Sequence, residues 1–318
     1  MKTRIISVIL LAVIIFSAIP ATVGCARRDD GKITVICTVF PIYDWVRNVV
    51  GDSDAVEVKL LVSNGADLHS FQPSADDIIS IRDAEVIVRV GGAADAFLND
   101  ILPECDKIKD VCLMNSPGVT VRESLKESHS HTEGDGHFHA SDEHIWLSLK
   151  NAKAAVSAIC ETLCGLDGEN AEKYKENAEA YTERLATLDA AYTEATANKM
   201  VKKMIFADRF PFIYMTEEYG IEHIAAFEGC STESDASFET VMRLSSRLDE
   251  WGLDFVAVTE SSDKRLAEAV INASSKKNAQ ILVFDSMQSV TNADISAGKT
   301  YVGIMESNLQ ALKIAVGE

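Results

Sequence analysis

Five of the seven histidines in this 318-residue chain fall within one stretch, HSHTEGDGHFHASDEHIW, which runs from His129 to Trp146. They are His129, His131, His137, His139 and His144, separated by Ser, Gly, Asp and Glu. Neutral imidazole suits a borderline-soft cation such as Zn2+, and so dense a cluster could collect one without a fixed geometry. Residues 128–142 carry neither a helical nor a strand period and read as a loop. Its four leading histidines then form an auxiliary metal-collecting set, against the plainer reading of a solvated polar loop. At its end the character changes. Asp142, Glu143 and His144 lead directly into Ile145, Trp146 and Leu147, so His144 stands at the edge of packed structure, where a ligand can be held in one orientation.

The other residues capable of ligation are acids that follow predicted strands. Asp208 follows Ala207, Glu260 follows Thr259, and Asp285 follows Phe284. In open α/β sheets ligands lie beyond the carboxyl ends of the strands. One such acid is most simply a helix cap. Three at one rim, facing a first half that supplies His69 and His144, point to a mixed nitrogen and oxygen metal site. A metal with an open position could also serve a zinc-dependent hydrolase. Against that reading, His137, His139 and Asp142 only approximate an HxHxDH signature, with the acid one residue late. HExxH, GxSxG, P-loop and GxGxxG patterns are absent, and the Gly91-Gly92 pair lacks the spacing of a phosphate cradle.

The elements that must position these residues alternate in type. Strands are predicted at 33–39, 57–62, 85–90 and 111–114, with helices at 41–50, after a Ser74 cap backed by Asp77, and at 95–102. Helix formers fill 150–164 and again 169–199, a rod of about 46 Å. Its apolar positions Tyr174, Ala178, Tyr181, Leu185, Leu188 and Tyr192 form one seam, suited either to a coiled-coil arm or to packing on the chain itself. Strands at 204–207, 221–227, 255–259 and 281–284 then alternate with helices at 211–219, 237–251, 264–275 and 300–316. The expected fold class is α/β: two (βα) lobes, each with a mainly parallel sheet, joined by one long helix, with the metal site in the cleft. The expected divisions are a leader at 1–24, a tether at 25–31, a first lobe at 32–165, the linking helix at 166–200 and a second lobe at 201–318.

The leader has Lys2 and Arg4 before an apolar run, then small residues up to Gly24-Cys25. About fifteen apolar residues are too few for a spanning helix, which needs roughly twenty. The Ala21-Thr22-Val23-Gly24-Cys25 ending is similar to a lipoprotein cleavage box with Thr22 where Leu is usual, so Cys25 is the expected lipidation site. Losing the leader leaves 28 basic against 49 acidic residues, a net charge of −21. That balance argues against nucleic acid and favours cations without selecting among them. Six further cysteines permit disulfides in an exported chain, with Cys105 and Cys112 as the local candidates.

Together these segments resemble the zinc- and manganese-binding substrate-binding lipoproteins of bacterial ABC importers. Residues 65–74, Gly-Ala-Asp-Leu-His-Ser-Phe-Gln-Pro-Ser, are similar to that family's first-histidine loop, and residues 142–147, Asp-Glu-His-Ile-Trp-Leu, to its second-histidine motif. Phe284-Asp285-Ser286 matches the segment with its carboxylate, and Thr300 to Leu309 its closing helix. The resemblance implies capture of Zn2+, with Mn2+ tolerable, by His69, His144 and Asp285. It implies a third ligand near Phe206 to Phe212, where Ala207 stands at the expected place. Asp208 is the substitute, with Glu260, Glu228 and water as alternatives. The implied protein is a monomer, lipid-anchored at Cys25 on the outer face of the bacterial cytoplasmic membrane, not an enzyme, and partnered by an importer permease. A metal-buffering surface adhesin is a further alternative.

Overall fold

The computed structural model describes residues 31–62, 71–124, 141–197, 199, 202–229 and 236–317. His69, His129, His131, His137, His139, Cys25 and Cys230 lie outside them. Residues 32–318 form one compact unit. Within it, four strands make a first parallel sheet: β1 (Ile33–Cys37), β2 (Val56–Leu60), β3 (Val86–Arg89) and β4 (Lys109–Cys112), in the order β2-β1-β3-β4. A second parallel sheet holds β7 (Lys203–Phe210), β8 (Glu222–Glu228), β9 (Phe255–Thr259) and β10 (Gln280–Phe284), in the order β10-β9-β7-β8. The mixed α/β class read from the sequence is therefore observed.

Local chemistry explains the helices. Helix α1 (Phe40–Val50) begins with Pro at its first turn, where a missing N–H costs nothing. Helix α2 (Ala75–Asp83) carries a complete capping box, with Ser74 Oγ accepting the Asp77 N–H and Asp77 accepting the Ser74 N–H. The region predicted as one helix over 95–102 is observed as α3 (Leu98–Ile101) followed by a 3₁₀ turn at Leu102–Glu104; at its end Pro103 lacks an N–H for a continuing α-helix. Helix α4 (Leu149–Leu166) is capped by Ser148.

The rod is α5 (Ala171–Thr196), 26 residues and about 39 Å long, shorter than the sequence suggested at both ends. Its seam residues Tyr174, Leu185 and Tyr192 are fully buried against this chain, which disposes of the coiled-coil arm. After it come α6 (Ile213–Glu218), α7 (Phe238–Trp251), α8 (Arg265–Ala273), α9 (Asn292–Ser296) and α10 (Tyr301–Ala315); α5 packs on α1, on α4 and on α10, and so ties the two sheets' helical layers together. Tyr181 donates its hydroxyl to Asp44 in α1 at 3.1 Å, and Tyr192 donates to the carbonyl of Met305 in α10 at 2.7 Å.

Three expectations change. The segment before His144 is not loop throughout: β5 (Arg122–Glu123) pairs antiparallel with β6 (Ser141–Asp142). Strand β7 does not stop at Ala207 but continues to Phe210 across a bulge between Phe206 and Arg209, so Asp208 lies inside a strand. Cys105 and Cys112 are free thiols. Cys112 ends strand β4, and its Sγ accepts from Asn115 Nδ2 rather than joining Cys105. Cys160 and Cys164 do share one helical face, with 3.8 Å between sulfurs, and are also free.

Because Leu185 is fully buried at the centre of the rod, Leu185→Ala should cost about 2–5 kcal/mol of stability, read as a shift in the urea midpoint without a change in slope.

Candidate metal site

His144 follows β6 and opens a short 3₁₀ turn, Ile145–Leu147, ahead of α4. It is 2% exposed. Its Nδ1 lies 2.9 Å from Asp142 Oδ1, and the same oxygen accepts the His144 backbone N–H at 2.9 Å. In neutral imidazole the contact places the proton on Nδ1 and the lone pair on Nε2, the arrangement in which carboxylates orient metal-binding histidines. Asp142 is in turn fixed by pairing with Arg122 and by the Tyr214 hydroxyl, which donates to its carbonyl at 2.6 Å. No signal in the sequence marked Asp142 as this partner, although the i, i+2 spacing to His144 permits it.

Asp285 leaves the carboxyl end of β10. Its backbone is clamped by Asn308 of α10, which accepts the Asp285 N–H and donates to its carbonyl, both at 2.8 Å. One carboxylate oxygen accepts the Met287 N–H at 2.8 Å, and the other is 3.4 Å from Lys299 Nζ. Burial raises the affinity of this carboxyl for a proton, and the nearby charge of Glu260 raises it further; the Met287 N–H and Lys299 oppose the rise. A second positive charge would relieve that strain, which is what a divalent cation supplies.

The two other acids are occupied. Asp208 Oδ2 accepts the Thr259 N–H at 3.1 Å and its hydroxyl at 2.8 Å, while Oδ1 accepts the Arg209 N–H. At the bulge its carboxylate thus takes the place of a strand carbonyl between β7 and β9. Glu260 accepts the Ser286 N–H at 2.8 Å and the hydroxyls of Ser286 and Ser289 at 3.0 Å, so it shapes the loop that carries Asp285. Glu228 is exposed at the end of β8. His223, the seventh histidine, stacks on Phe210 at 4.0 Å and is a packing residue. Among the described residues no three His, Cys, Asp or Glu side chains gather closely enough to hold a metal. His69 is outside that set.

The family model for the zinc-uptake complex component A, periplasmic, ZnuA, matches residues 35–315. The chain belongs to the ZnuA family. The zinc-binding lipoprotein AdcA of Streptococcus pneumoniae is 29% identical over 297 residues, covering 92% of this chain and 58% of that protein. The chain therefore spans little more than half of that relative's length. The high-affinity zinc uptake system protein ZnuA of Bacillus subtilis is 27% identical over 295 residues, covering 92% of this chain and 90% of its own. Among solved structures, the Zn(II)-bound ZnuA-like domain of Streptococcus pneumoniae AdcA superposes with a TM-score of 0.73 at 25% identity, over 91% of this chain and all of that domain.

In this ZnuA-family chain the His144 segment rests on the loop after β3. Ala94 N–H donates to Glu143 Oε2 at 2.8 Å, and a Cβ added at Gly92 would come within 2.3 Å of the same oxygen. Gly92 thus serves close approach to Glu143, and Gly91, at φ +104°, close approach to Cys112 Sγ, rather than a phosphate. Below it lies Asp95, 1% exposed, which accepts the Gly91 N–H at 3.1 Å. Burial, against the opposing Gly91 N–H and Arg89, pushes its carboxyl up from 3.8 to about 6. The folded chain then keeps this proton up to about pH 6, whereas the unfolded chain releases it near 3.8. The contribution is full below 3.8 and declines by roughly 3 kcal/mol as pH rises to 6. Asp95→Asn should lack that decline, so that wild-type stability falls relative to the variant's by roughly 3 kcal/mol between pH 4 and pH 6 to 7, measured by denaturant titration at pH 4, 5, 6 and 7.

Proposed function

We propose that this chain captures one Zn2+ ion and delivers it to an ABC importer. The observation that carries the reading is the buried Asp142–His144 pair, a histidine held in its ligating tautomer within a chain of the ZnuA family. The names of the streptococcal and Bacillus relatives support zinc as the cargo. His69, His144 and Asp285 are the proposed protein ligands, with water completing the shell. Asp208 and Glu260 are assigned to bridging β7 with β9 and to shaping the 285–289 loop. The ion would sit in a cleft between two lobes, 32–165 and 201–318, linked through 166–200. Imidazole nitrogen with carboxylate oxygen suits Zn2+ and leaves Mn2+ as a weaker competitor.

The rest of the proposal concerns delivery. His129, His131, His137 and His139 are assigned to a collecting loop that raises local zinc concentration without forming the tight site. Cys25 is assigned to the lipid anchor, which would hold a monomeric chain on the outer face of the cytoplasmic membrane beside its permease. Among the described residues no helix is long and apolar enough to cross a membrane. Binding and release, with no turnover, is the proposed activity.

Zinc titration against a competing chelator should show one tight ion per chain. His144→Ala should weaken it by orders of magnitude, while deletion of residues 128–140 should remove only weaker extra ions. Loss of the tight ion with the loop would place the site elsewhere, and zinc-dependent turnover abolished by chelator would favour a hydrolase. Affinity should fall below about pH 6, as protons compete for imidazole and for the Asp285 carboxylate, whose proton affinity burial has raised. Asp208→Ala should cost about 1–3 kcal/mol of stability, by leaving the Thr259 donors unpaired, and should keep one tight zinc.

A further inference from the structure

Between the proposed histidine and the proposed carboxylate stands one side chain that touches both segments. Trp146 is 1% exposed. Its indole packs edge-on to the His144 ring, with centroids 5.2 Å apart. Its Nε1–H donates to the carbonyl of Ser286 at 2.9 Å, across 140 residues of sequence and one position beyond Asp285. The Trp146 carbonyl accepts the Tyr301 hydroxyl at 2.6 Å, from the same α10 whose Asn308 clamps Asp285. Neighbouring Met287 is buried with φ of +65°, a conformation a methionine holds only when its surroundings impose it.

We infer that Trp146 is a positioning residue for the zinc site, a latch that sets the distance between the His144 and Asp285 segments and thereby governs how fast a bound ion leaves. The inference rests on the zinc reading above. Ligand exchange at a two-sided site needs one side to withdraw. Withdrawal here would first have to break the hydrogen bond between the Ser286 carbonyl and the indole N–H, both buried in the folded chain. The latch therefore acts on dissociation: an ion reaching the site meets the same ligands with or without it, but leaves more easily once the segments can separate.

The purified chain, loaded with one Zn2+, is mixed with excess chromophoric chelator, and the release rate is read by stopped flow. Trp146→Phe keeps an aromatic ring at smaller volume and removes the N–H; Tyr301→Phe keeps its ring and removes only the donor to the Trp146 carbonyl. Each should bind one zinc and release it about tenfold faster or more, the scale expected when an outer-shell partner is lost. Tyr174→Phe is the control, since it deletes a tyrosine hydroxyl bond of the same kind, to Asp167, that involves neither segment and not α10. It should lower thermal stability and leave the release rate unchanged. Wild-type rates in both Trp146→Phe and Tyr301→Phe, or equal acceleration in all three variants, would overturn the latch. If Trp146→Phe does not fold, Tyr301→Phe decides by the same criterion. A wild-type chain with no tight zinc would instead defeat the zinc reading itself.

Discussion

A single oxygen, Oδ1 of Asp142, takes both the backbone N–H and the Nδ1 side of His144, and the rest of the candidate site depends on that contact. Side chains buried to this degree are costly unless paired, and here the pairing also selects which nitrogen can bind a cation. The supports radiate from it. The β5–β6 hairpin and Tyr214 hold Asp142, the glycine loop after β3 holds Glu143, and α4 begins at Ser148 immediately after the turn. The imidazole is thus fixed by three separate parts of the chain.

Around Asp285 the arrangement is set by the balance of nearby charges. Glu260 lies close enough for its charge to oppose ionisation of Asp285, and both carboxylates accept backbone N–H groups of the 285–289 loop. Lys299 offsets part of that charge at 3.4 Å. The long helix α5 joins the helices beside the two sheets, through Tyr181 to α1 and Tyr192 to α10.

Much of this was legible in the sequence wherever one local rule acted alone. The α5 seam followed helical spacing, the Ser74 capping box followed its two polar side chains, and β9 was bounded as read, by Phe255 and Thr259. Misreadings arose where a tertiary neighbour set the outcome. Asp208 reads as an acid after a strand, but the bulge that carries β7 on to Phe210 turns it into a partner for Thr259. Ser141 and Asp142 look like the tail of a polar loop until Arg122 and Glu123 pair with them. Cys105 and Cys112 are near in sequence, yet the strand end directs Cys112 toward Asn115. Of the nominated ligands, His144 and Asp285 are placed with supporting shells, and His69 lies outside the described residues.

Anomalous diffraction from zinc-soaked crystals at the zinc absorption edge tests the central claim most directly. The account predicts one dominant peak, about 2.0–2.2 Å from His144 Nε2 and from an Asp285 carboxylate oxygen, with His69 completing the protein ligands. A dominant peak bound elsewhere, with His144 still paired to Asp142 and no metal at Asp285, would contradict it.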